Sequence, residues 1–187
     1  KINDKKLSVV NGIDKILNLL SKRNTFATFF VVGELIEKKP ELLDKIIDNG
    51  HEIAFHTMYH TRLDAENYKN QFNSELEIFK KLTNNKSKGF RAPSFSLNEN
   101  TSWAIDSLKK NGYVYDSSIA PVKTRLYGVP KAEQNPYKID SRDIKKNQNS
   151  SNFLEFPLLT TTIFGKTIMA AGGFYIRTLP LYLIKKE

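Results

Sequence analysis

Cysteine is absent from this 187-residue chain. No disulfide framework, thiolate nucleophile or Cys-type zinc site is therefore available, and any metal site must use His, Asp or Glu. Histidine is scarce as well, with three residues in all. No apolar run approaches the roughly 18 residues of a membrane span, so no transmembrane segment is expected. The charged start Lys1-Ile2-Asn3-Asp4-Lys5-Lys6 is not followed by a signal-peptide core. On that basis a cytoplasmic or membrane-peripheral location is the expectation. The net charge of +9 would suit nucleic acid, but the excess is lysine scattered over helix faces, without an Arg-rich stripe alternating with aromatics. No nucleic-acid partner is expected.

What is present is the composition of an ordinary globular domain, 40% hydrophobic and 11% aromatic, long enough for one substantial core. Two of the three histidines fall in the pentapeptide His56-Thr57-Met58-Tyr59-His60, entered from the apolar run Glu52-Ile53-Ala54-Phe55. Imidazoles four residues apart can face one centre across a helical turn or tight loop, and neutral imidazole is a common metal ligand. A structural role for both is the competing reading. A zinc-peptidase helix needs His-Glu-x-x-His, whereas His51 and His56 stand one residue too far apart and the His56/His60 pair lacks the intervening Glu.

Along the chain, helical and strand patterns alternate. Val10, Ile13, Ile16, Leu17 and Leu20 predict an amphipathic helix over about 8–22. Phe26 to Val32 reads as a strand buried on both faces, broken by Gly33. Glu34 to Asp48 is helical with a restart at Pro40, and Asn49-Gly50 stops it. Glu52 to Phe55 is a second strand. The stripe Tyr68, Phe72, Leu76, Phe79 and Leu82 predicts a helix from Asp64 to Leu82. Gly89-Phe90-Arg91 is a third strand, Asn98 to Asn111 a helix containing Trp103, and Tyr113-Val114-Tyr115 a fourth strand ending at Asp116. Residues 140–152 are polar and turn-rich, as in a mobile surface loop. Phe153 to Leu158 and Thr160 to Phe164 read as strands, Gly172-Gly173 as a turn, and Leu179 to Lys186 as the start of a helix. This order implies parallel strands with helical crossovers, a barrel or an open sheet, with chemistry at the strands' C-terminal ends. His56, Arg91-Ala92-Pro93 and Asp116 all follow such ends, although polar residues commonly follow strands.

Ala27-Thr28-Phe29-Phe30-Val31-Val32-Gly33, Gly50-His51-Glu52-Ile53-Ala54-Phe55-His56-Thr57-Met58-Tyr59-His60 and Phe90-Arg91-Ala92-Pro93-Ser94-Phe95 resemble the polysaccharide deacetylase family, carbohydrate esterase family 4. The resemblance continues through Gly112 to Ile119, Leu154-Glu155-Phe156-Pro157 and Gly172-Gly173-Phe174-Tyr175, features of a branch linked to bacterial exopolysaccharide production. It covers nearly the whole chain as a single domain. It implies an α/β fold, a distorted parallel β/α barrel, and a hydrolase that removes N-acetyl groups from an amino-sugar polysaccharide or oligosaccharide. It further implies a divalent metal, usually zinc, on His56 and His60, with Thr57 bracing the loop. Arg91 would orient a catalytic aspartate, the backbone N–H near Ser94 would hold an oxyanion, and Pro93, Phe95 and Tyr175 would meet the substrate. Asp116 lies in the region of the family's fourth motif.

Two parts of the family pattern are missing. Its first motif carries two aspartates, the base and a third metal ligand, on a strand before the first helix; here Asp4 is the nearest candidate. Its last motif supplies a histidine as general acid, and none follows His60. The expectation is a partial barrel without its first strand and its C-terminal elements. Two rivals stay open. One is a carbohydrate-binding pseudoenzyme presenting Tyr59, Phe95, Trp103 and Tyr175 to a sugar, against core packing for Trp103. The other is a hydrolase of small cyclic amides or ureides on the same barrel.

Overall fold

A computed structural model describes residues 8–163 and 165–170. Helix α1 (Ser8–Lys22) is followed by strand β1 (Thr28–Val31), helices α2 (Gly33–Lys38) and α3 (Glu41–Asp48), β2 (Glu52–Phe55), α4 (Tyr68–Leu82), β3 (Gly89–Phe90), α5 (Trp103–Lys110) and β4 (Tyr115–Asp116). Then come β5 (Tyr137–Lys138), β6 (Leu154–Glu155), and the pair β7 (Thr160–Ile163) and β8 (Lys166–Met169). The helical restart at Pro40 divides α2 from α3, because proline supplies a helical φ of −59° but no N–H to the turn before it. The expected strands at 26–32, 52–55, 89–91 and 113–116 are present. Strands β5 and β8 carry no alternation that the sequence reveals. Gly172-Gly173 and Leu179 to Lys186 lie outside the described residues, as do both chain ends to which the missing barrel elements were referred.

Strands β1, β2, β3, β4 and β6 run parallel in that order, and β5 closes the sheet antiparallel to β6. Helical crossovers link the first four, as the alternating pattern requires. Among the described residues β1 pairs only with β2 and stands at the edge of the sheet they form. Its Phe29 and Phe30 are half-buried, where the apolar run had suggested burial on both faces.

The register sets the two faces. Val31, Phe55, Phe90, Asp116, Glu155 and Tyr137 are partners in one continuous row, and laterally paired residues share a face. Phe55 meets the rings of Phe72, Phe79, Phe90 and Tyr113 there, so this face carries the main core under α4. Trp103, half-buried, packs its ring edge-on against Phe72, the core-side role expected for it. On the opposite face Tyr115 donates its hydroxyl to Glu52 at 2.8 Å, crossing Gly89, where a Cβ would fall 2.0 Å from the Tyr115 ring. Residues 140–152 are tied to the body of the fold: Ser151 donates to the Ile139 carbonyl, Gln148 N–H to the Lys138 carbonyl, and Ile144 is 2% exposed.

The core row changes from aromatic to acidic at Asp116 and Glu155, both fully buried. Asp116 accepts the Ser118 hydroxyl at 2.6 Å and the Ser118 N–H at 3.1 Å, and Glu155 Oε1 accepts the Ile119 N–H at 2.9 Å. Burial pushes both carboxyls above their ordinary values, Glu155 the more strongly because Asp116 lies beside it. The two carboxyls are hydrogen-bonded to each other, which two acids manage only when one of them carries a proton. A carboxyl with a raised folded-state pKa stabilises the fold below its unfolded value, and that contribution is lost as pH rises through the folded value. Glu155→Gln keeps a neutral donor beside Asp116. Its stability relative to wild type should therefore improve by up to about 1.4 kcal/mol per pH unit above about 4.5, until the pair ionises. Urea unfolding of both proteins between pH 4 and 8 measures this; parallel curves would show that the pair holds no proton.

Candidate functional site

His56 follows β2 directly, its N–H bonded to the Val31 carbonyl at 3.0 Å. Its Nδ1 lies 2.7 Å from the Arg91 carbonyl oxygen. A carbonyl only accepts, so Nδ1 carries the proton and Nε2 keeps its lone pair. Burial pushes the His56 pKa down to about 4, against the opposing pull of the Arg91 carbonyl. The ring is thus neutral near pH 7, the state in which imidazole binds metal. The His60 ring centroid lies 4.9 Å from that of His56, with the planes 68° apart.

The loop between the histidines is bent by Thr57 and His60, both in the left-handed region at φ 59° and 58°. Its carbonyls are taken by the first turn of α2: Gly33 N–H reaches Thr57 O at 3.0 Å, and Glu34 N–H reaches Met58 O at 2.8 Å. The Met58 side chain is buried against Gly33, where a Cβ would come within 2.1 Å of its sulfur. Hence Gly33 is required by close approach. Thr57 is buried, with its hydroxyl beside that of Tyr68 on α4. The brace is Glu75 of α4, whose Oε2 accepts the Met58 N–H at 2.9 Å. Sequence reading passed over Glu75. The available signal was a carboxylate on the apolar stripe, seven residues after Tyr68 and one before Leu76.

Arg91 follows β3, its N–H bonded to the Phe55 carbonyl at 2.9 Å. Its Nε donates to Ser117 O at 2.8 Å and its Nη2 to Ser117 Oγ at 2.6 Å, while Ser117 Oγ donates to Phe156 O at 2.8 Å. The guanidinium lies 4.0 Å from the centroid of the Phe30 ring, an arrangement that favours the cation. Burial lowers the Arg91 pKa, and the Asp116 charge opposes that shift. The next residue, Ala92, donates its N–H to Ser118 Oγ at 2.7 Å. Pro93 is buried, Ser94 is exposed, and both Ser94 and Phe95 are left-handed at φ 52°. The Phe95 ring meets Tyr127 edge-on at 5.3 Å.

The structure therefore brings His56, His60 and Arg91 together, with the Pro93–Phe95 turn following Arg91. The three polar groups line one wall of a cavity of about 880 Å³ whose other walls come from β1, α1, α2 and α3. Tyr59 stands at its mouth, 60% exposed. Asp116 is not part of this group. It ends β4 as expected, but strand alternation turns it onto the core face, and Ser117 takes the place beside Arg91. Tyr175 and Asp4 lie outside the described residues. Among the described residues no cluster of three or more His, Asp, Glu or Cys side chains is poised around one point. His56 and His60 fit a divalent ion as two of its donors.

Residues 4–115 match the polysaccharide deacetylase family, and residues 117–187 match a domain of unknown function, DUF3473. The boundary does not divide the sheet, since β4 pairs with β6 across it. A peptidoglycan deacetylase-like protein of Gibberella zeae is 29% identical over 121 residues, which are 62% of this chain and 35% of that protein. A peptidoglycan-N-acetylglucosamine deacetylase of Bacillus cereus is 31% identical over 118 residues, 55% of this chain and 43% of the relative. The chain thus spans less than half the length of these relatives. Among solved structures, a candidate polysaccharide deacetylase from Mycobacterium smegmatis superimposes with a TM-score of 0.60 at 24% identity, covering 79% of this chain and 45% of the other. An allantoinase gives 0.57 at 19% identity, with 79% and 43% covered. At such identities these two likenesses concern the fold alone. The family match spans more than half of the chain, β1 to β3 and both loops of the site included, and on that ground the chain belongs to the polysaccharide deacetylase family.

Proposed function

We propose that this domain serves a metal-dependent hydrolase that removes N-acetyl groups from an amino-sugar polymer, releasing acetate. The observation that carries the reading is the fixed tautomer of His56: its Nδ1–H is held by the Arg91 carbonyl, so Nε2 is presented beside His60 at the cavity. A second partner of this kind is what orients a metal-binding imidazole. His56 and His60 would hold the ion, and further donors would complete the set. A divalent ion such as zinc supplies a polarised carbonyl and a bound water with a pKa near about 7.

The chain's own residues serve the rest of the reaction by position. Arg91, clamped at Nε and Nη2 by Ser117, keeps its remaining N–H groups for an acidic partner at the cavity wall. The turn after Pro93 offers the Ser94 N–H to an oxyanion, while those of Phe95 and Ser96 are bonded to the Ala92 and Pro93 carbonyls. Tyr59 and Phe95 present rings on which a sugar face can lie. The amino-sugar polymer is proposed from the relatives, which are named for peptidoglycan and chitooligosaccharides. An exported polysaccharide is the form of substrate we favour.

Acetate release from N-acetylated oligosaccharides by the zinc-loaded protein tests the reaction, with allantoin ring opening as the comparison. Acetate release is expected. Ring opening alone would move the domain to small ureides, and glycan binding without turnover would make it a binding protein. In His56→Ala the tightly bound zinc should be lost, as metal analysis after dialysis would show. Unchanged zinc content would remove His56 from the site.

A further inference from the structure

Glu75 is buried, 6% exposed, on the face of α4 that packs Tyr68, Phe72, Leu76 and Phe79 into the core. Its Oε2 accepts two hydrogen bonds, from the Met58 N–H at 2.9 Å and from the Tyr68 hydroxyl at 2.6 Å. Tyr68 is fully buried, and burial together with the Glu75 carboxylate raises its pKa, so the phenol stays a donor. No Lys, Arg or His forms an ion pair with Glu75 among the described residues. A carboxylate met only by neutral donors in a core is expensive in free energy, and an apolar residue would fill the place more cheaply. General stability therefore does not account for an acid at this position.

Its location does. Met58 is the middle residue of the loop from His56 to His60, and the carbonyls of Thr57 and Met58 are already taken by the N–H groups of Gly33 and Glu34. The Met58 N–H points the other way, into the core, and without an acceptor there it would be an orphan donor beneath a strained turn.

We propose that Glu75 is a positioning residue for the cation-binding loop: through the Met58 N–H it fixes the turn that sets His56 and His60 at one point, and its buried negative charge favours a divalent ion there. Tyr68 holds the carboxylate in place from within the same helix. The electrostatic half rests on the metal reading above; the geometric half does not.

Three variants of the whole protein test this, Glu75→Gln, Glu75→Met and Tyr68→Phe. Each is read without metal, by amide exchange of Met58 against the core amides of Phe55 and Phe90, and then by zinc affinity. In E75M the Met58 amide should exchange at least about tenfold faster with the core amides unchanged, and zinc should bind about 10- to 100-fold more weakly, the usual effect of losing an outer partner. E75Q retains an acceptor oxygen, so it should restore Met58 protection while leaving zinc binding a few-fold weaker. Y68F should move Met58 exchange in the same direction by less, and it decides the geometric half if E75M does not fold. Wild-type protection of Met58 in E75M overturns the proposal. So does protection lost equally at Met58, Phe55 and Phe90, because Glu75 would then act only through overall stability. A wild-type protein that binds no zinc rejects the metal reading and the charge effect, while the exchange data still decide whether Glu75 holds the loop.

Discussion

The register of the parallel sheet is the constraint on which the rest depends. Phe55, Phe90, Asp116 and Glu155 are lateral partners across β2, β3, β4 and β6. The residue after each therefore stands at one level on the opposite face: His56, Arg91, Ser117 and Phe156. A chain of hydrogen bonds runs along that level, from the His56 ring to Arg91 O, from Arg91 to Ser117, and from Ser117 to Phe156 O. A slip of one residue in any pairing would turn these groups into the core and expose the aromatic row instead. Burial of Phe55 and Phe90 against Phe72 and Phe79 thus does more than stabilise: it fixes the height and direction of the polar residues one step further on.

Behind that level lie three buried acids with separate roles. Asp116 holds the Ser118 hydroxyl, which in turn holds Ala92 N–H, so the Arg91–Phe95 turn is anchored through a side chain on the neighbouring strand. Glu155 fixes the Ile119 N–H on the same strand extension. Glu75 fixes Met58 from the opposite side of the core. Each acid satisfies a backbone N–H or a hydroxyl that would otherwise be buried without a partner, at about 1–3 kcal/mol per orphan group. The desolvation of these acids is offset by the backbone and hydroxyl groups they satisfy where two irregular loops meet regular elements.

These roles explain which parts were legible in the sequence. Helices α1 and α4, strand β2 and the His56/His60 pair are written locally, in spacing and apolar runs. Arg91 was found through a short motif. Asp116 is legible as a strand end but not as a core residue, because a two-residue strand gives no alternation from which to tell its face. Ser117 and Ser118 were passed over for the same reason: their importance lies in Arg91 and Ala92, 26 residues away. Glu75 did leave a trace, a charge inside an apolar stripe, which is costly unless something in the fold requires it. Strands β5 and β8 owe their existence to partners rather than to propensity, and no local pattern marks them.

Backbone strain follows the same division. Apart from five residues elsewhere, the non-glycine residues with positive φ in the described chain are Thr57, His60, Ser94 and Phe95. Four of the other five positions are asparagines, which adopt this region at little cost. A β-branched threonine and an aromatic residue do not, and they fall in the two loops that follow β2 and β3. Such conformations persist only where their surroundings over-determine them. Here the clamps from Gly33, Glu34, Glu75 and Ser118 do so. The strain therefore sits in the segments that carry His56, His60 and Arg91, held by bonds to helices and strands that would form without it. A site built in this way has its geometry set before any ligand arrives, and binding need not supply the free energy of ordering it.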